Sequence, residues 1–297
     1  MMQPPDLPPS SAWRPLVQLA LAEDLGSGDI TSAVAIPPGA EGRAQIEARQ
    51  ELVVCGLAVA AEVFRQVDAS LEFEPVRRDA DRAGPGAPLA YLSGSLRSIL
   101  AGERTALNFV ARMCGVASFV RRHLEAVKGT RASVTDTRKT LPGWRVLDKY
   151  AVAVGGGINH RSGLYDGVLL KDNYVAAVGG VAAAVEAARA NAPAGLRVQV
   201  EVQSPSEADE ACRAGADFLL IDNCSLDDVR RIVERWGEKA LLEASGGIHL
   251  GNLRRYAETG VQRISIGALT HSAPAADVAL ELLPATSQRG PGAAPTP

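Results

Sequence analysis

RVQVEVQ (197–203), DFLLID (217–222), ALLEAS (240–245) and RISIG (263–267) are four short apolar runs that recur about every 22 residues. Helical patterns fall between them, among them SEADEACRAGA (206–216) and SLDDVRRIVERWG (225–237). Short runs rich in Val, Ile and Leu, alternating with helices at this tight spacing, predict βα units in a parallel sheet or barrel. ASVTDT (132–137) and GVLLKD (167–172) extend the series upstream. Six or seven strands read this way are too few for a closed barrel of about eight. An open, incomplete (β/α) barrel is the architecture expected.

The residues before Ala132 read differently. PLVQLALAEDL (15–25) is helical, AEGRAQIEARQEL (40–52) alternates like a strand, LAVAAEVFRQVD (57–68) is helical and SLEFEPVRR (70–78) is strand-like. A long helical run, SLRSILAGERTALNFVARMCGVASFVRRHLEAV (95–127), follows. These predict an α+β module joined to the barrel by a helix. Residues 1–11 and the tail PATSQRGPGAAPTP (284–297) are Pro-rich with little to bury, and are expected to be disordered.

The chain has 297 residues, 46% of them hydrophobic, and a net charge of −3, so its global balance gives no reason to expect nucleic acid or a membrane surface as partner. No apolar run approaches the ~20 residues of a membrane span, and the first residues lack the basic and apolar regions of a signal peptide. Cys55, Cys114, Cys212 and Cys224 form no C-x-x-C pair and stand at no zinc-like spacing to a histidine. They are expected to be reduced thiols of a cytosolic protein. Locally the balance shifts: residues 131–171 hold seven Lys/Arg against three Asp/Glu. That surplus points to a small anionic ligand.

In a (β/α) barrel the chemistry sits at the C-terminal ends of the strands. In chain order those ends deliver Asp136, Arg138 and Lys139, then Lys171 and Asp172, Glu201, Asp222, Ser245-Gly246-Gly247 and Gly267. Side-chain alternation places Val198, Val200 and Val202 on one face of their strand and Gln199, Glu201 and Gln203 on the other. If the valines pack on the outer helices, Glu201 points inward; the alternative is an edge strand with a wet face. The same count sets Asp222 with Leu220 and Ser245 with Glu243. SGGIH (245–249) and IGALT (266–270) let backbone N–H groups approach a phosphate, at the two positions where barrels of this kind commonly hold one.

GGGINHRSGLYD (155–166) has neither the Lys-Ser/Thr of a P-loop nor a dinucleotide-binding fingerprint. It reads as a loop presenting His160 and Arg161 to the same pocket. The constellation is Arg138, Lys139, Arg161 and Lys171, with His160, facing Glu201 and Asp222. The cations suit carboxylates or phosphates, and the two acids suit Mg²⁺, sugar hydroxyls or a developing positive charge.

EDLGSGDITS (23–32), GERTALNFVARMCGVAS (102–118), the long block DTRKTLPGWRVLDKYAVAVGGGINHRSGLYDGVLLKDNY (136–174), VEVQSPSEADEA (200–211), LLIDNCS (219–225), EASGGI (243–248) and VQRISIGALTHS (261–272) resemble the quinolinate phosphoribosyltransferase family. The resemblance implies the type II phosphoribosyltransferase fold: an N-terminal α+β domain over 12–115, to which about 274–284 returns, and an open barrel over 116–273, with tails at 1–11 and 285–297. It implies transfer of the phosphoribosyl group of 5-phosphoribosyl-1-diphosphate to quinolinate with loss of CO₂, dependence on Mg²⁺, and a homodimer with shared sites.

By matching motifs, Arg138, Lys139, His160 and Arg161 would hold the two carboxylates of quinolinate, Thr137 would also line the substrate site, and Arg104 would enter the neighbouring subunit's site. Lys171 would take the diphosphate, while Glu201 and Asp222 would hold the ribose hydroxyls and the metal. Ser245, Gly246, Gly247, Gly267 and Ala268 would cradle the 5-phosphate with His271 nearby. Lys139, Lys171, Glu201 and Asp222 would be the catalytic set. The rival readings are a paralogue with the same barrel and a different acceptor, such as the family member found with molybdenum transport genes, the related nicotinate phosphoribosyltransferase activity, a phosphate-binding barrel lyase or isomerase using Lys171, and a non-catalytic binding protein.

Overall fold

The computed structural model describes residues 5–284. Met1 to the residue before Pro5, and the tail from 285 that was expected to be disordered, lie outside the described residues. Residues 5–11, also expected to be disordered, are laid against the molecule instead. Leu7 packs on the core, and the buried Trp13 donates its indole N–H to the Pro8 carbonyl at 2.9 Å. One large aromatic ring is what holds this proline-rich arm down.

The N-terminal domain runs through α1 (Arg14–Leu25), α2 (Ile30–Ala35), β1 (Glu41–Ala48), β2 (Leu52–Val53), α3 (Leu57–Val67), β3 (Glu72–Pro75), β4 (Arg82–Ala83) and β5 (Pro88–Ser95). Then α4 (Leu96–Val127) crosses to the barrel as a 32-residue spine. Its Ser95 cap accepts the Ser98 N–H at 3.3 Å, and Ile99, Ala106, Val110, Met113, Ala117 and Val120 are buried along one stripe at helical spacing. Strand β5 was not legible in sequence: it begins at a proline, ends in Ser-Gly-Ser, and yet is one of the two inner strands of an antiparallel sheet.

The barrel domain contains β6 (Ser133–Thr135), α5 (Arg145–Val154), β7 (Val168–Leu170), α6 (Asp172–Val178), α7 (Val181–Asn191), β8 (Val198–Val202), α8 (Pro205–Arg213), β9 (Phe218–Asp222), α9 (Leu226–Trp236), β10 (Leu241–Ser245), α10 (Leu250–Ala257), β11 (Arg263–Ser265) and α11 (Ala268–His271). The chain then returns as β12 (Val278–Leu282), which pairs antiparallel with β1, so the N-terminal sheet has the order β12-β1-β5-β3. The six barrel strands are all parallel, in the order β6-β11-β10-β9-β8-β7. The sheet does not close: β6 and β7 are its two edges.

Strand β8 lies between β7 and β9, which removes the reading of an edge strand with a wet face. Val198, Val200 and Val202 are buried on its outer side. Gln199 and Glu201 therefore face the interior, and in register with Glu201 stand Leu220 and Glu243. Among the described residues no helix is long and apolar enough to cross a membrane.

Candidate active site

Strand β6 is only three residues long and hands the chain to a loop that turns under α5. Asp136, fully buried at its end, accepts from Lys149 Nζ at 2.7 Å and from the His160 backbone N–H at 2.7 Å. Burial pushes its carboxyl up to about 6 even though the Lys149 charge opposes that. Lys149 was one of the seven cations counted from sequence. It is spent inside the protein, so the ligand-facing surplus is smaller than the count.

Arg138 and Arg161 come together at the mouth. Burial, then the charge of Arg138, holds the Arg161 guanidinium below its ordinary value. Arg161 donates to the Gly167 carbonyl at 2.9 Å, but the buried Nε of Arg161 and of Arg138 have no partner. Thr137 turns back on its own loop, its hydroxyl accepting the Lys139 N–H at 3.0 Å. Lys139 diverges from Arg138. Its stem lies against Gly267, where an added Cβ would meet Lys139 Cδ at 3.0 Å and His271 Nε2 at 3.2 Å. The Thr270 hydroxyl fixes that arrangement by donating to the Lys139 carbonyl at 2.8 Å. The loop after β6 thus reaches both the guanidinium pair and the Gly267–His271 turn.

His160 uses both ring nitrogens. Nδ1 accepts the Arg161 backbone N–H at 2.8 Å, which leaves the ring proton on Nε2, 3.0 Å from Gln199 Oε1. Burial, helped by the Lys149 charge, pushes the ring down to about 4, so it is neutral near pH 7. Beneath it lies Glu243, completely buried, with Oε1 3.9 Å from His160 Nε2 and neither oxygen hydrogen-bonded. Burial pushes this carboxyl up to about 7.

Across the mouth, Glu201 Oε2 meets Lys171 Nζ at 3.3 Å, and Lys171 remains 48% exposed. Burial raises the Glu201 carboxyl, Lys171 opposes it, and the charge of Asp222 raises it further. Asp222 and Ser245 are register partners at the ends of β9 and β10. Asn223 donates to Asp222 Oδ2 at 2.6 Å and adopts a left-handed φ of 54°, which Asn tolerates better than most residues. Gly246 is fixed by the same feature: a Cβ there would fall 2.3 Å from Asn223 Oδ1, and its φ is 92°. At Gly247 a Cβ would find open space, and its carbonyl accepts Asn252 Nδ2 at 3.1 Å.

Arg104 stands apart. It is exposed on α4, and among the described residues no hydrogen bond or ion pair ties it to the mouth of its own barrel. Four residues around the mouth escaped the sequence reading as site residues: Lys149, Gln199, Asn223 and Glu243. Alternation had placed Gln199 and Glu243 on the inward faces, which was a usable signal. Lys149 is 13 positions from Asp136, and no local pattern links them.

Two family models match the chain: "Quinolinate phosphoribosyl transferase, N-terminal domain" over residues 29–114 and the C-terminal domain of the same name over 116–281. A nicotinate-nucleotide pyrophosphorylase (carboxylating) of Mycobacterium leprae is 42% identical over 277 residues, covering 91% of this chain and 97% of that protein. A probable enzyme of the same name from Bacillus subtilis is 38% identical over 260 residues, covering 88% and 90%. The solved nicotinate-nucleotide pyrophosphorylase of Francisella tularensis superposes with a TM-score of 0.88 at 35% identity, covering 95% of this chain and all 100% of that one.

Proposed function

The chain belongs to the quinolinate phosphoribosyltransferase family, and from that premise we propose how its barrel mouth performs the reaction. The enzyme transfers the phosphoribosyl group of 5-phosphoribosyl-1-diphosphate to quinolinate with decarboxylation. The products are nicotinate mononucleotide, CO₂ and pyrophosphate, a step of NAD biosynthesis. One observation supports the assignment of halves most strongly. Two guanidiniums with unpartnered buried Nε atoms stand at one rim, and Lys171, Glu201 and Asp222 stand at the other.

Arg138 and Arg161 grip the two carboxylates, with Thr137 shaping the loop between them. Lys139 lies where the acceptor meets the 5-phosphate, since its stem touches the Gly267–His271 turn. Ser245, Gly246, Gly247, Gly267 and Ala268 cradle that phosphate, with His271 at the edge. For His160 to hold a carboxylate it must give up Gln199, because its other nitrogen is taken by the Arg161 N–H. Lys171 takes the diphosphate.

Glu201 and Asp222 bind the ribose hydroxyls and stabilise the oxocarbenium-like ribose as pyrophosphate departs. Attack by the pyridine nitrogen on the anomeric carbon leaves positive charge on the ring. That charge stabilises the carbanion formed when the adjacent carboxylate leaves as CO₂, and a proton then takes its place. Lys171 is half-exposed and ion-paired, unlike the desolvated lysine that Schiff-base chemistry needs.

Mg²⁺ fits the acid side. Among the described residues no third His, Cys, Asp or Glu joins Glu201 and Asp222 to make a full cage. Two carboxylates completed by substrate phosphate and water are a usual mode for this ion. Held by Glu201 and Asp222, it would offset the charge of the leaving diphosphate.

The homodimer is supported by the exposed Leu19, Ile30 and Val34 on α1 and α2. Helix α2 packs on α4, the helix that carries Arg104, so that apolar face and Arg104 would enter the neighbouring subunit's interface together. Cys55, Cys114, Cys212 and Cys224 are all free, which suits a cytoplasmic enzyme.

The test is turnover with Mg²⁺ and donor. Quinolinate should release CO₂ and pyrophosphate in equal amounts. Equal turnover of nicotinate would overturn the assignment.

A further inference from the structure

Arg138 and Arg161 repel each other, yet each sits half-buried on a short loop. Something must hold those loops, and the helix behind them does. Residues 145 and 149 stand one turn apart on α5 and face the same way. Arg145 donates Nη2 to the Arg138 carbonyl at 3.3 Å, Nε to Thr140 Oγ1 at 3.1 Å, and Nη1 to the Ser162 carbonyl at 3.0 Å. One guanidinium therefore spans the loop before the helix and the loop after it. Lys149 repeats the link a turn later, joining Asp136 at 2.7 Å to the His160 carbonyl at 2.8 Å.

The helix itself is anchored on two sides. Asp148 is ion-paired with Arg112 of α4 at 2.9 Å, and the Tyr150 hydroxyl donates to Asp79 of the N-terminal domain at 2.7 Å. The brace thus rests on a fixed base, and it ties together the two loops that carry the guanidiniums.

Resting on the function proposed above, we infer that Arg145, backed by Lys149, is a positioning residue that sets the spacing of Arg138 and Arg161 and so determines selectivity for a ring with two adjacent carboxylates over a ring with one. Two carboxylates on a rigid ring demand a fixed distance between their partners, and a misplacement of ~1 Å in such a grip is costly. A single carboxylate needs only one guanidinium and tolerates a shift of the other. Arg145 bonds none of Lys171, Glu201 and Asp222, so the ribose and diphosphate end of the donor lies outside its direct reach.

The experiment is calorimetric titration of Arg145→Ala and Arg145→Lys with quinolinate and with nicotinate, alongside the KM for the donor. Arg145→Ala should bind quinolinate about 10–100-fold more weakly, as expected for loss of several charge-assisted hydrogen bonds. Nicotinate affinity and donor KM should stay within about threefold, since neither needs both loops in register. Arg145→Lys keeps the charge but can serve only one carbonyl, so its quinolinate loss should be intermediate. It also carries the test by itself if Arg145→Ala fails to fold. Unchanged quinolinate affinity in both variants overturns the inference. So does an equal weakening of quinolinate, nicotinate and donor, which would mark a general collapse. A wild-type enzyme that binds nicotinate as tightly as quinolinate would instead overturn the functional reading itself.

Discussion

On the cation side of the mouth, Arg138 and Arg161 stand on loops tied down by a buried ion pair and by hydrogen bonds from α5. On the acid side, Glu201 and Asp222 stand at strand ends, Asp222 held only by its neighbour Asn223, and among the described residues the one ion pair there is made by a lysine that is half in solvent. The first side is fixed by the protein. The second, in the function proposed above, would be completed by donor and metal. Preorganisation suits a rigid aromatic acceptor, whereas a flexible phosphorylated sugar with a leaving diphosphate needs groups free to rearrange. Under the function proposed above, this difference fits binding of the acceptor on one side and stabilisation of the transition state on the other.

The largest effect should come from the acid side. Glu201→Ala should lower kcat by roughly 10²–10³-fold, the scale seen when one group aimed at developing charge is lost. Its affinity for quinolinate in a direct titration should stay near wild type. A large loss of quinolinate binding there would erase the distinction between the two sides.

Arg161→Ala should show the opposite split. Quinolinate KM should rise about 10–100-fold for loss of a charged hydrogen-bonding partner, and donor KM should move little. Steady-state kinetics with each substrate varied in turn reads both numbers.

A smaller effect lies beneath the cation side. Glu243 is held up to about 7 from 4.5, so the native protein keeps a proton there that the unfolded chain releases above its ordinary value. The stability this gives is full below pH 4.5 and is lost as pH rises through 7. Glu243→Gln has the same shape and no such titration. The melting temperature of Glu243→Gln relative to wild type should therefore rise by about 5 °C between pH 5 and pH 8. His160 lies 3.9 Å from Glu243, so the difference reads the carboxyl together with its coupling to that ring. A gap that stays flat across that range would mean the carboxyl is ionised throughout.

Much of the cation side was written in local order. The run from Asp136 to Lys139 and the pair His160-Arg161 end adjacent segments, and strand alternation turned Glu201 inward. What escaped is what depends on tertiary placement. Lys149 looks like any helix cation until the fold buries it against Asp136. That the Lys139 stem lies against Gly267 appears only once that turn is brought beside it by the parallel pairing of β6 with β11. In the N-terminal domain, β5 carries a proline at its start and a glycine near its end, and its strand character comes from pairing on both sides. The left-handed Asn223 behind Asp222 likewise has no sequence signal beyond its identity.

The division of labour between the two sides can be tested directly by titrating the enzyme with quinolinate in the presence of Mg²⁺ and again after chelation with EDTA. A preorganised cation side predicts the same quinolinate affinity, within about twofold, in both conditions, with turnover abolished only by the chelator. Loss of quinolinate binding on chelation would contradict that prediction, and would place the acceptor's recognition on the acid side.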